Sequence, residues 1–321
     1  MWSENYRPTV LANLLGHEPV VDRLRAFVRE PAKMPNLIFT GPAGIGKTSS
    51  AHALGREILQ DTFLENFLEV NASDARRMED FREYIKSFVL SSPFGEAPFR
   101  ILLFDEADDL GKDFQSALRR TMEKSPHIRF IYILNVGGTL IPAIESRCAN
   151  FRFTPLPPDL VLRKINEITD KEGIKMTAEA KQLLLSQSRG DLRKLINLVQ
   201  SASVLFEGSE IDVTAVEDIL GIAKKKDLAE LFSILSSKGN DGLMKASEKL
   251  RFLLKYQGIP PLALLRQIQE LVDENSAIQD LHKVKVAEAV GDAEFRLIHD
   301  SNSEIQLLFV LSRIRSSFLA T

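Results

Sequence analysis

Short apolar runs alternate with longer segments of helical period along the first half of the chain. The runs are Asn36–Thr40, Phe67–Asn71, 101–104, 130–134 and 150–153, and each is nearly continuous in apolar residues. Between them, Lys47–Leu59, 78–88 and Lys112–Lys124 repeat their apolar residues at helical spacing. This alternation predicts an α/β domain: a five-stranded parallel sheet, buried on both faces by flanking helices. The pattern changes at Thr154-Pro155-Leu156-Pro157-Pro158, where three prolines in four residues end the last strand. Helix starts follow at Pro158-Asp159, at Thr177-Ala178-Glu179 with Thr177 as N-cap, at Gly190-Asp191-Leu192-Arg193 and at Thr214-Ala215-Val216-Glu217. The basic link Ala223-Lys224-Lys225-Lys226-Asp227 reads as a solvated hinge. Beyond it, segments 228–235, 263–271 and 305–318 carry broad apolar faces that something must cover. Three domains are expected: 1–155, α/β; 156–223, a small helical lid; and 224–321, all-α.

Composition narrows the class. With 321 residues, 44% hydrophobic and 26% charged, the chain is of ordinary globular type. No run reaches the ~18 apolar residues of a membrane span, so no membrane partner is expected. Met1-Trp2-Ser3-Glu4-Asn5-Tyr6-Arg7-Pro8 lacks the apolar core of a signal peptide. A cytoplasmic location is the default expectation. The single cysteine, Cys148, excludes an internal disulfide and carries no expected chemistry. No Cys/His cluster has zinc-ligand spacing, so the expected metal is one that accompanies a nucleotide. A net charge of −3 argues against indiscriminate coating of nucleic acid and leaves room for a local basic face.

The chemistry begins at Gly41-Pro42-Ala43-Gly44-Ile45-Gly46-Lys47-Thr48, followed by Ser49. Glycines and a lysine at this spacing, after a strand and opening a helix, form a phosphate-binding loop whose backbone N–H groups curl around phosphate oxygens. Lys47 is expected to reach the β- and γ-phosphates, and the Thr48 hydroxyl to bind Mg²⁺. The run 101–104 ends in Asp105-Glu106-Ala107-Asp108. Asp105 is the second candidate for Mg²⁺, and Glu106 the candidate base for the attacking water. Asn135 closes the fourth strand, where a polar residue faces the ligand crevice, and is expected to sense the γ-phosphate. Asn71 ends the second strand and is a candidate for restraining Glu106.

These motifs, taken together, resemble the small subunit of archaeal and eukaryotic replication factor C, a clamp-loader ATPase of the AAA+ class. Trp2…Tyr6-Arg7-Pro8 is similar to that family's adenine-contacting box. Asn71-Ala72-Ser73-Asp74, Asp105-Glu106-Ala107-Asp108, Ala117-Leu118-Arg119-Arg120-Thr121-Met122-Glu123, Ser146-Arg147-Cys148 and Gly190-Asp191-Leu192-Arg193-Lys194 carry the rest of the resemblance. It is dense over residues 2 to about 200, whereas the C-terminal hundred match in helical character alone. The departures are Ala43 and Ile45 in the loop, Ala75-Arg76-Arg77 after Asp74, and Val136-Gly137-Gly138-Thr139 after Asn135. They mark a divergent small subunit, of a second type within one archaeal organism.

The resemblance implies an ATPase that uses ATP and Mg²⁺, with Arg7 and Pro8 at the nucleotide. It implies that Arg147 serves the nucleotide of a neighbouring subunit in trans and that Arg193 contacts the γ-phosphate in cis. It implies a hetero-oligomer, a pentamer of a large subunit and small subunits held by a C-terminal collar, which opens a sliding clamp and closes it on primer-template DNA. Arg77, Arg82 and Lys86 on one helix, and Arg119 and Arg120 on another, would track the DNA backbone by neutralising phosphates. Two other readings stand beside this one: an ATP-binding structural subunit with weak hydrolysis of its own, and another AAA+ DNA motor.

Overall fold

The computed structural model describes residues 1–72, 79–206, 208–237, 239, 241–276 and 278–319, with 79–82 as backbone alone. The chain divides into two compact units, Met1–Gln200 and Ser201–Thr321.

The first unit is built on five parallel strands: β1 (Asn36–Thr40), β2 (Phe67–Asn71), β3 (Arg100–Asp105), β4 (Ile128–Leu134) and β5 (Cys148–Arg152), in the order β2-β3-β4-β1-β5. Alternate residues of each strand point to opposite faces, and both faces are covered. Leu37, Phe39, Ile101, Leu103, Ile131, Ile133 and Phe151 pack with α1 (Glu18–Arg29) and α2 (Lys47–Leu59). Ile38, Leu102, Phe104, Phe130, Tyr132 and Leu134 pack with α3 (Glu79–Leu90) and α4 (Lys112–Lys124). Phe104 on β3 and Tyr132 and Phe130 on β4 form a stacked row, with neighbouring ring centroids 5.6 and 6.3 Å apart.

Several expected bounds shift in detail, β3 beginning at Arg100 and β4 at Ile128. The last strand spans 148–152 rather than 150–153. Phe153 is buried just past its end and still donates its N–H to Thr40 O at 2.7 Å. Helix α5 (Pro158–Lys171) starts where the proline run ends, and α6 (Ala178–Ser188) has Thr177 as N-cap, its hydroxyl accepting from Ala180 N at 3.2 Å. Helix α7 is Leu192–Leu205, and Asp191 Oδ1 accepts from Lys194 N at 2.8 Å to cap it.

In the second unit α8 is Val213–Leu220, one residue longer at its start than the pattern suggested, because Asp212 caps it by accepting from Ala215 N at 2.9 Å. Next come α9 (Lys225–Ser236), α10 (Gly242–Arg251), a π-helical turn (Phe252–Tyr256), α11 (Pro261–Glu274), α12 (Asp280–Ile298) and α13 (Ser303–Leu319). Their shared core includes Leu231, Leu250, Leu264, Ile268, Val286, Leu307 and Leu311. The basic link is not a free hinge. Ala223 is buried, and Gln267 bonds both its N–H (2.8 Å) and its carbonyl (3.0 Å). Lys224 pairs with Asp218, while Lys225 and Lys226 already belong to α9. One face of α12 remains uncovered, with Leu281, Val284, Phe295 and Ile298 exposed.

Candidate nucleotide-hydrolysis site

The carboxyl ends of β1, β3 and β4 meet where the strand order doubles back, which is where open α/β sheets bind ligands. Three consecutive events in sequence happen there. β1 runs into the glycine-rich loop, β3 ends in Asp105-Glu106, and β4 ends beside Asn135. A cavity of about 560 Å³ opens over this edge. Ala43 through Ser49 line it, together with Asp105, Glu106, Asn135 and Arg193. Arg7 and Pro8 close it from the N-terminal segment.

The loop is shaped by its packing. Gly44 has φ +68°, and a Cβ there would stand 1.8 Å from Asp191 Oδ1. Gly41 faces the same constraint from Phe153 O, at 2.5 Å. The Leu192 N–H donates to Gly44 O at 3.1 Å, so the start of α7 sits directly on the loop. Beneath it, the buried His17 donates Nε2–H to Ile45 O at 2.9 Å, and burial lowers its pKa, which favours the neutral ring. Gly44→Ala is therefore expected to abolish nucleotide retention with the fold intact. Equilibrium binding of a fluorescent ATP analogue, alongside the circular dichroism melt, checks this.

Lys47 is buried, and its ammonium donates to Gly41 O and Pro42 O at 2.6 Å each and to Asn135 Oδ1 at 3.4 Å. Burial depresses its pKa, partly opposed by Asp105 and Asp108. The Thr48 hydroxyl donates to Asp105 Oδ2 at 2.8 Å. Two hard oxygen donors thus converge at the mouth of the loop, the ligand type Mg²⁺ takes. Glu106 is exposed to the cavity and adopts φ +52°, uncommon for a side chain of its kind. Its N–H donates to Asp105 Oδ1 at 2.9 Å, which holds the turn. Asn71 stands opposite Asp105 in the β2–β3 register.

The far end of the cavity belongs to the N-terminal segment. Arg7 donates from Nε to Ser49 Oγ at 3.4 Å and pairs with Glu4. The Tyr6 hydroxyl donates to Glu172 Oε1 at 2.6 Å, and that carboxylate pushes its pKa up to about 12. Trp2 N–H donates to Gln200 Oε1 at 2.9 Å.

Arg147 is not part of this cavity. Its Nη1 donates to Ala143 O at 2.6 Å and its Nη2 to Glu123 Oε1 at 2.8 Å. Arg119 is half-buried and Arg120 exposed on α4, and Lys86 is exposed on α3. Arg77 and the side chain of Arg82 lie outside the described residues. Burial pushes the Cys148 thiol up to about 12, so it is no nucleophile at neutral pH.

Sequence reasoning missed four contributors. His17 and Asp191 shape the loop. Gln115, buried on α4, donates to Leu110 O and accepts from Ile141 N, both at 2.8 Å, tying α4 to the segment that leads to Arg147. Glu123 meets Arg147 itself. Glu123 and Asp191 stood in quoted motifs, but nothing in the spacing named their partners.

The sheet order and the loop define a P-loop ATPase of the AAA class, and the model of the AAA family, ATPases associated with various cellular activities, matches residues 37–156. The replication factor C C-terminal domain matches residues 215–313. Replication factor C small subunit 1 of Pyrobaculum arsenaticum is 39% identical over 98% of this chain and 93% of its own. The replication factor C small subunit of Methanothermobacter thermautotrophicus is 40% identical over 97% and 96%. This chain belongs to the replication factor C small subunit family and is a clamp-loader ATPase. Among solved structures, the Thermotoga maritima RuvB Holliday junction branch migration motor aligns with a TM-score of 0.53 at 18% identity, over 76% of this chain and 85% of that one, a likeness of fold alone. Among the described residues no helix is long and apolar enough to cross a membrane.

Proposed function

We propose that this chain binds ATP with Mg²⁺ in the 560 Å³ cavity and hydrolyses it as part of a pentameric clamp loader acting on primer-template DNA. The observation that carries this reading is the hydrogen-bonded cluster of Lys47, Asn135, Thr48 and Asp105 at the carboxyl edge of the sheet. Lys47 exchanges its loop carbonyls for the β- and γ-phosphates. Thr48 and Asp105 would hold Mg²⁺, which would supply charge neutralisation at the phosphates. Glu106 takes the proton of the attacking water, and Asn135 orients that water or the γ-phosphate. Arg193 reports the γ-phosphate to the helices that follow, with Arg7 and Pro8 at the base and Ala43 to Ser49 around the phosphates. Asn71, beside Asp105, restrains Glu106 until DNA binds.

Arg147, lying outside its own chain's cavity, serves the neighbour's nucleotide. Residues 156–223 act as the lid and 224–321 as the collar, for which the exposed apolar face of α12 is suited. Lys86, Arg119 and Arg120, with Arg77 and Arg82, track the DNA backbone. ATP binding assembles the open-clamp state, and DNA triggers hydrolysis and clamp release.

Lys47→Ala, reassembled with the companion subunits, is expected to weaken ATP retention by about 10- to 100-fold, the loss of one charged hydrogen-bonding partner. Filter binding with radiolabelled ATP reads this directly. Retention at the level of the unaltered complex would refute the assignment.

A further inference from the structure

The ion pair between Arg147 and Glu123 calls for an explanation. Both side chains are well exposed, at 40% and 44% of their surface, and an exposed pair of this kind contributes at most ~1 kcal/mol to the fold. It joins the last turn of α4 to a residue 24 positions further on. The guanidinium has five N–H donors, and among the described residues Ala143 O takes one and Glu123 another. The side chain keeps 40% of its surface exposed with both bonds made. Arg147 is thus fixed at two points yet able to grip a phosphoryl oxygen.

We infer that Glu123 is the positioning residue for Arg147, holding the guanidinium in the attitude from which it completes a neighbouring subunit's nucleotide site. The inference rests on the reading of Arg147 as an arginine lent in trans. A free arginine carries about 2 kcal/mol of rotamer entropy, which is lost when it settles on a target. Anchoring it beforehand removes part of that cost, and a misplacement of about 1 Å at a catalytic group can lower the rate by about 10²-fold. The anchoring strut is α4. Gln115 bonds Ile141 N near the start of α4, and Glu123 bonds Arg147 near its end. The segment 141–147 is therefore held against α4 at two places about two turns apart. The same helix carries Arg119, one turn before Glu123 on the same face, so a phosphate gripped by Arg119 and the guanidinium held by Glu123 share one rigid element.

The test uses the complete clamp loader with its clamp and primed DNA. Glu123→Ala is compared with Glu123→Gln, which keeps a hydrogen-bond acceptor, with Arg147→Ala, and with the double variant. Glu123→Ala is expected to lower the DNA-stimulated kcat by about 10- to 100-fold, to change the KM for ATP by less than about twofold, and to leave assembly on gel filtration unaltered. Glu123→Gln recovers part of the loss. The double variant is no slower than Arg147→Ala alone, since Glu123 acts through that arginine. Full activity in Glu123→Ala, a loss that multiplies with that of Arg147→Ala, or a loss of assembly in both Glu123 variants would each overturn the inference. If Arg147→Ala itself leaves turnover intact, the trans reading fails first and this inference falls with it. If Arg147→Ala is slow and Glu123→Ala is not, only the positioning role is lost.

Discussion

Arg147→Ala, placed in every copy of this chain within an assembled clamp loader, is expected to lower DNA-stimulated ATP turnover by about 10³-fold or more, the scale of an arginine finger. The chain's own ATP affinity is expected to stay constant, because Arg147 does not line its own cavity. The physical reason lies in the reaction. On the proposed reading, phosphoryl transfer would spread negative charge over oxygens that the loop and Lys47 face from one side. A guanidinium brought by a neighbouring subunit would stabilise the other side, in a site shielded from water. The fold should not suffer, since the arginine's partners are one carbonyl and one exposed carboxylate. Rapid-quench turnover with all components present, beside filter binding by the isolated variant, separates the two effects. Normal turnover in the assembled variant would show that each subunit completes its own site.

Glu106→Gln should give the second large effect: hydrolysis slowed by about 10²- to 10⁴-fold, the range for loss of a general base, with ATP retained as tightly as before. The change removes a proton acceptor and keeps the shape. It also leaves the turn undisturbed, because what holds Glu106 in its left-handed conformation is its backbone N–H on Asp105. That conformation costs on the order of 1–3 kcal/mol and is characteristic of residues whose placement serves chemistry. Single-turnover quench in the complex is the measurement. An unchanged rate would mean this subunit only binds ATP and lends Arg147, the structural reading left open by the sequence.

Much of the nucleotide-binding half was legible in the sequence because its signals are local. β1, β3 and β4 lie inside the sheet, so their apolar residues run nearly unbroken, and the edge strand β2 still carries Phe67, Leu68 and Val70. The phosphate loop occupies eight consecutive residues. β5 was displaced because Asn150 and Arg152 are exposed, so the apolar weight of the segment sits at Phe151 and Phe153, past its paired centre. The basic link looked like a hinge because three lysines carry no sign of Gln267, 44 positions later, which fastens Ala223. The supporting residues of the site escaped for the same reason. His17 reaches Ile45 across 28 positions, and Glu123 reaches Arg147 across 24. A motif states which residues do chemistry. It is silent on the partners that tertiary folding brings to them.

The bond from Leu192 N to Gly44 O has a further consequence. Leu192 is the opening residue of its helix, whose amide has no use within the helix, so donating it outward costs the helix nothing. Both ends of the bond are peptide groups. A shift of the Gly44 carbonyl when the loop accepts a triphosphate would therefore pull on the first residue of the helix, whatever side chain stands at position 192. Such a linkage leaves no mark in residue identities, and descendants of this gene can vary that side chain widely while inheriting the mechanical message unchanged.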